Sequence, residues 1–401
     1  MTEQNTLQAE PAELTAHRPS LNALTGVRFF AAIYVVAFHT RIGAQCLSDG
    51  HRAAGYFFLN GFLAVPMFFL LSGFILAYTY AGQLKGPGDF RRFWEARFAR
   101  IWPVYAVSLV LASLPGLNFP TPGVMAAALL MVQAWNPWDT GMAGAWNLVC
   151  WTLSVEAFFY LCFPWVQVWL EKRGSRAHLG WIVAMLATCV AINSGSRTLG
   201  YTALGIYRWI PFPLVHLPEF LVGVGLGGYF LKRLARPTVA GRWGAWTYGG
   251  LGLTLILLCK PAGRWTSVVV AGFLMLIWGL AGEATVLSRL LSTKLALLGG
   301  GISYSVYLMQ MPVKYWVQGA ADHYGQRSSA LRMTCSTVLL LVISLILFKA
   351  VENPARKVIR SAFARLERRR VAKGHESFRF RENTGDRQHN DYRRTERSEG
   401  S

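Results

Sequence analysis

Apolar residues gather in runs of about twenty along this chain, and short polar or basic breaks divide the runs. An α-helix needs ~20 residues to cross ~30 Å of hydrocarbon. The pattern therefore predicts an all-α integral membrane protein, a bundle of about ten transmembrane helices. Their expected spans are about 25–46, 56–80, 101–118, 147–170, 179–195, 209–231, 243–259, 265–283, 295–317 and 331–350. A further apolar run covers 122–136. Counting it as a span would place Lys172, Arg173 and Arg176 outside, so it is read as a re-entrant or interfacial segment. Residues 1–20 carry Glu3, Glu10 and Glu13 and no apolar core, which predicts a polar N-terminus and no cleavable signal peptide. The first span then serves as an uncleaved anchor. The expected organisation is 1–20 polar, 21–355 membrane domain and 356–401 a basic, disordered tail.

Composition supports that reading. Of 401 residues 53% are hydrophobic and 15% charged, against roughly 25% charged in a soluble domain. Disordered, disulfide-built and ordinary soluble classes are excluded. The net charge of +20 would suggest nucleic acid in a soluble protein. Its placement argues for a membrane instead. Basic residues cluster between apolar runs, at Arg91, Arg92, Arg97 and Arg100, at Lys172, Arg173 and Arg176, and at Lys232, Arg233 and Arg236. That is the pattern of cytoplasmic loops, with both termini inside, and it fits anionic lipids as partners with no nucleic acid. The six cysteines are scattered without metal-ligand spacing, so neither a metal nor a disulfide framework is expected. No internal repeat is visible.

Ionisable groups in hydrocarbon cost at least ~2.5–3.5 kcal/mol on insertion scales, so each needs a reason. Arg28 and His39 lie eleven positions apart in the first span. At 100° per residue they share a helix face, about 16 Å apart along the axis. An imidazole on an inward face suits general-base work. Arg97 and Arg100 stand at i, i+3, and paired guanidinium forks suit phosphate. Glu156 opens the fourth span with Trp151, Thr152 and Ser154, and needs a cationic partner, His39 or an arginine. Glu219 is a second buried acid. Ser72 and Tyr304 add hydroxyls within later apolar runs. Each also has a plain structural reading, as topology charge, interhelical ion pair or packing hydroxyl. Buried Arg, His and Glu also mark transport paths, so the residues alone leave open an enzyme, a transporter or flippase of a lipid-linked glycan, and a scaffold acting through its tail.

Taken in order, several segments resemble the membrane acyltransferase family 3, whose members include bacterial O-antigen and exopolysaccharide O-acetyltransferases and macrolide acylases. They are Leu24-Thr25-Gly26-Val27-Arg28-Phe29-Phe30-Ala31-Ala32 with His39, Ser72-Gly73-Phe74, Arg97 to Pro103, Trp151 to Tyr160, Glu219-Phe220, and Ser303-Tyr304-Ser305 through Pro312. The resemblance covers about residues 20–360. It implies a bacterial inner-membrane enzyme that moves an acyl group, acetyl first of all, from cytoplasmic acyl-CoA to a carbohydrate hydroxyl, with no bound cofactor. It implies functional roles for Arg28, His39, Arg97 and Arg100. His39 is expected as base, Glu156 as its orienting carboxylate, Arg28 as oxyanion donor or donor-path residue, and Arg97 with Arg100 as acyl-CoA ligands. Ser72, Trp151, Ser154, Glu219 and Tyr304 would line the pore. Gln310 departs from relatives, which often have His there. A stand-alone form, lacking the hydrolase-like C-terminal domain of some relatives, is also expected.

Overall fold

The computed structural model describes residues 18–40, 42–114, 119–139, 141–198, 210–234, 242–263, 266–326, 328–359 and 361–363. The expected polar N-terminus and basic tail lie almost wholly outside the described residues.

Among the described residues the fold is entirely helical. The helices are α1 (Asn22–Phe38), α2 (Ile42–Ser48), α3 (Arg52–Leu59), α4 (Ala64–Tyr80), α5 (Pro87–Ser113), α6 (Pro122–Leu129) and α7 (Trp151–Glu171). There follow α8 (Ser175–Thr198), α9 (Phe212–Leu234), α10 (Trp243–Leu258), α11 (Thr266–Ala281), α12 (Val286–Leu291), α13 (Lys294–His323) and α14 (Ser329–Leu347). A π-helical turn, Phe348–Glu352, extends α14.

Each of the ten predicted spans has a helix, but fewer are clear membrane crossings. Five helical stretches are long and apolar enough by themselves: Gly61–Tyr80, Leu148–Glu171, Ser175–Asn193, Phe212–Leu234 and Ser329–Phe363. The first predicted span is broken. Helices α1 and α2 bend by 61° at the gap that follows His39. Helix α5 starts at Pro87, not at 101, and carries Arg91, Arg92, Arg97 and Arg100 along its first half. Those charges dilute its hydropathy, so the third span is a longer, partly polar helix. The run 122–136 forms only the eight-residue α6, which rises about 12 Å and is too short to cross.

The bundle is fixed by small residues where backbones meet, as apolar driving force is weak between helices in lipid. A Cβ on Gly73 would lie 2.2 Å from the Phe220 carbonyl oxygen, and one on Gly223 2.1 Å from that of Leu70. Helices α4 and α9 therefore run parallel in near backbone contact. Helices α1 and α13 are also parallel, since Gly300 meets Thr25, where a Cβ would lie 2.1 Å from the Thr25 oxygen, and further along both Gln310 meets His39. Gly223→Val is expected to open the α4–α9 seam, at a cost beyond the ~1–3 kcal/mol of ordinary overpacking, because the obstacle is backbone. A fall in the thermal midpoint of the purified protein, or its loss to aggregation, would register this. An unchanged midpoint would contradict it.

Pro103, Pro164, Pro218 and Pro312 lie in helix interiors, and two of them have the carbonyl they free satisfied by a side chain from another segment. Pro164 in α7 removes the donor to Tyr160 O, and Trp94 Nε1 donates there at 2.9 Å. Pro312 in α13 removes the donor to Leu308 O, and Asn147 Nδ2 replaces it at 3.0 Å. The basic breaks meet at one end of the bundle. There Glu171 accepts from the Gly82 N–H at 2.9 Å, and Lys232 Nζ reaches the Glu171 carbonyl at 3.4 Å. Arg18 donates to the carbonyls of Tyr78 and Ala81 at the same end.

Candidate active site

A partly open chamber of about 100 Å³ lies between α1, α4, α5, α7 and α13. Three arginines, Arg28 from α1 and Arg97 and Arg100 from α5, line it together with one carboxylate, Glu156 of α7. Three positive charges less one negative leave a formal +2. The remaining wall is largely apolar and aromatic, with Val65, Phe68, Phe69 and Ile75 of α4 and Tyr304 and Tyr307 of α13.

Glu156 Oε1 accepts from Ser72 Oγ at 2.8 Å and from the Tyr160 hydroxyl at 2.6 Å. Its carboxylate also acts electrostatically on Arg28. Arg97 is partly engaged. It donates to the Tyr80 hydroxyl at 3.3 Å and lies 5.6 Å from the Tyr80 ring centroid and 5.9 Å from that of Phe93. Its Nε is buried without a hydrogen-bond partner. Among the described residues, neither Arg28 nor Arg100 hydrogen-bonds to a protein group. Glu156 and the buried Glu352 act on Arg28, and Glu352 also acts on Arg100, which offsets part of the cost of holding these charges in an apolar bundle. The arrangement suits an anion.

The structure brings Arg28, Ser72, Arg97, Arg100, Glu156 and Tyr304 to the chamber wall and places four other expected residues elsewhere. His39 caps the C-terminus of α1, on the same straight helix as Arg28 and about 16 Å along its axis. Its Nδ1 lies 3.0 Å from Val35 O and 3.0 Å from Gln310 Oε1. Glu156 therefore does not orient His39; the helix register puts the carboxylate beside Arg28 instead. Ser154 faces the 131–135 segment, where its Oγ accepts from Ala134 N at 3.1 Å, and does not line the chamber. Glu219 pairs with His216 at 3.1 Å. Trp151 packs against that histidine with ring centroids 5.4 Å apart, behind Phe69.

Sequence reading also missed residues. Thr152, Tyr160 and Tyr307 line the chamber, and Thr152 Oγ1 donates to the Tyr307 hydroxyl at 3.0 Å. Helical spacing from Glu156 and Tyr304 would have found all three, since each lies three or four residues from one of them. Tyr307 also links the chamber to the histidine. Its ring lines the wall while its carbonyl accepts from Gln310 Nε2 at 2.8 Å, and Gln310 holds His39. No sequence signal pairs residues 271 positions apart.

A family model described as an acyltransferase domain matches residues 21–349. The chain belongs to that acyltransferase family. Its relatives include an acyltransferase, MdmB, of Streptomyces mycarofaciens, 26% identical over 84% of this chain and 92% of its own length. The O-acetyltransferase OatA of Staphylococcus aureus is 25% identical over 87% of this chain, which spans only 59% of that protein. A Rhizobium radiobacter protein, protein 2 of the picA locus, is 37% identical over 42% of this chain and 90% of its own length. No solved structure matches the chain. Apolar helices and bacterial relatives together make this acyltransferase-family chain a multi-pass bacterial membrane protein.

Proposed function

We infer that the protein is a membrane O-acyltransferase that moves an acyl group, acetyl first of all, from acyl-CoA to a hydroxyl of a carbohydrate or glycan precursor. The carrying observation is the chamber wall with a formal +2 and two guanidinium groups that, among the described residues, hydrogen-bond to no protein partner. The phosphates of a CoA thioester are anions of the required kind, and guanidinium forks bind phosphate in bidentate fashion. Arg28, Arg97 and Arg100 hold them. Glu156, fixed by Ser72 and Tyr160, balances part of the charge and keeps Arg28 in place. The thioester then extends past the aromatic wall toward Tyr307 and His39.

At His39 the imidazole removes the proton of the acceptor hydroxyl as its oxygen attacks the thioester carbon. The C–S bond breaks, the leaving thiolate recovers the proton from His39, and an ester and free CoA depart. The positive-inside pattern of the basic end supports a cytoplasmic origin for the donor, with His39 toward the opposite face of a bacterial inner membrane. The relatives named for acyl and O-acetyl transfer support the same chemistry.

Protein reconstituted in lipid nanodiscs should bind acetyl-CoA. Given a glycan extract, it should release CoA thiol in step with formation of an alkali-labile ester. Absence of binding at millimolar acetyl-CoA would remove the donor assignment.

A further inference from the structure

We propose that Gln310 is a positioning residue that locks His39 in the tautomer protonated on Nδ1, leaving Nε2 as the base. This rests on the reading of His39 as the proton acceptor.

Two acceptors face Nδ1 from different helices. Val35 O, one turn back on α1, lies 3.0 Å away. A backbone carbonyl cannot donate, so Nδ1 must carry the proton to make that bond. Gln310 Oε1 lies at the same distance. The orientation of that amide is itself constrained, because Gln310 Nε2 donates to Tyr307 O at 2.8 Å. A flipped amide would set oxygen against oxygen there and an N–H against a protonated Nδ1. Gln310 is 4% exposed, so water offers no alternative partner. Both contacts give the same answer independently, and Nδ1–H donates to both oxygens.

Nε2 is the complement. It makes no hydrogen bond among the described residues, and it is not among the buried side-chain atoms that lack a partner. It therefore keeps some accessible surface. The same end of α1 is pinned by Lys314 Nζ, which donates to His39 O at 2.7 Å. Parallel packing of α1 on α13, through Thr25 against Gly300, sets the register that brings residue 310 to residue 39. The logic is that of a histidine whose base nitrogen is defined by the bond its other nitrogen makes. Here a neutral amide stands where a carboxylate often does. The chamber's carboxylate, Glu156, is then free to serve the arginines.

The test uses full-length protein in lipid with 15N-labelled histidine. The His39 signal is identified among the eight histidines by difference with His39→Asn. The expected spectrum of the neutral ring shows a protonated Nδ1 and an unprotonated Nε2. Gln310→Leu, close in volume, should admit the other tautomer and lower kcat by about tenfold to a hundredfold, with KM for acetyl-CoA unchanged. The loss stays below the ~10⁴ seen when a wrong tautomer is enforced, because Val35 O still accepts. A wild-type signal protonated on Nε2 would overturn the proposal, as would Gln310→Leu turning over at the wild-type rate. A purely structural link would change protein yield and leave tautomer and kcat alone. Failure of the base assignment reads differently: His39→Ala would then stay active whatever the spectrum shows.

Discussion

His39→Ala should lower kcat for acyl transfer by about 10²–10⁴-fold, the usual worth of a general base, while membrane abundance and acetyl-CoA affinity stay near wild type. The separation follows from the geometry. His39 is half-buried at the break between α1 and α2, about 16 Å along the helix from Arg28. Among the described residues its side chain hydrogen-bonds to Val35 and Gln310 and to no chamber arginine. Removing the ring costs those bonds and little core packing. Single-turnover measurements with labelled acetyl-CoA separate the effects: binding should persist while ester formation stops. A variant that turns over normally would place the proton acceptor elsewhere, with the His216–Glu219 pair behind Phe69 the next candidate.

The double change Arg28→Gln with Arg100→Gln should have the second largest effect, this time on KM. Hydrogen bonds to a charged group are worth about 1.5–3 kcal/mol each. Losing one such set per arginine therefore raises KM for acetyl-CoA by roughly ten- to a hundredfold apiece. Arg97→Gln should have the smaller effect of the three, because Arg97 already spends a donor on Tyr80 and stacks on two rings. Salt should weaken binding to the wild type more than to the double variant, since fewer charges remain to be screened. Titration of acetyl-CoA by calorimetry checks the order. Equal KM in all variants would leave the arginines with a topological role only.

Much of this site was legible in the sequence, and the missing parts have physical reasons. Arg28, Arg97, Arg100 and Glu156 stood out because charge in an apolar run is costly, and the fold does bring them to one chamber. Their partners were not legible. Helical spacing says which face a residue occupies and not which helix it meets, so the sequence leaves His39 and an arginine both open as the partner of Glu156, and the structure sets its carboxylate to act on Arg28. Ser154 is expected in the pore and Thr152 is not, yet Thr152 lines the chamber, and two positions on a helix turn the Ser154 side chain by 200°, toward Ala134. The start of α5 was hidden because its arginines break the apolar run that marked the third span. Pro312 announces an orphaned carbonyl, but only the fold supplies Asn147 to fill it. Gln310 appeared as a departure from a histidine, and its value emerges only from its contact with His39.

The most direct measurement compares cells deleted for this gene and complemented with wild type or with His39→Ala. Their surface glycans and secreted small molecules are analysed by mass spectrometry before and after mild alkali. An alkali-labile acyl mass present with wild type and missing with His39→Ala is the expected result, and it would identify acyl group and acceptor together. Unchanged acylation with glycan failing to reach the surface would contradict it and make the protein a transporter.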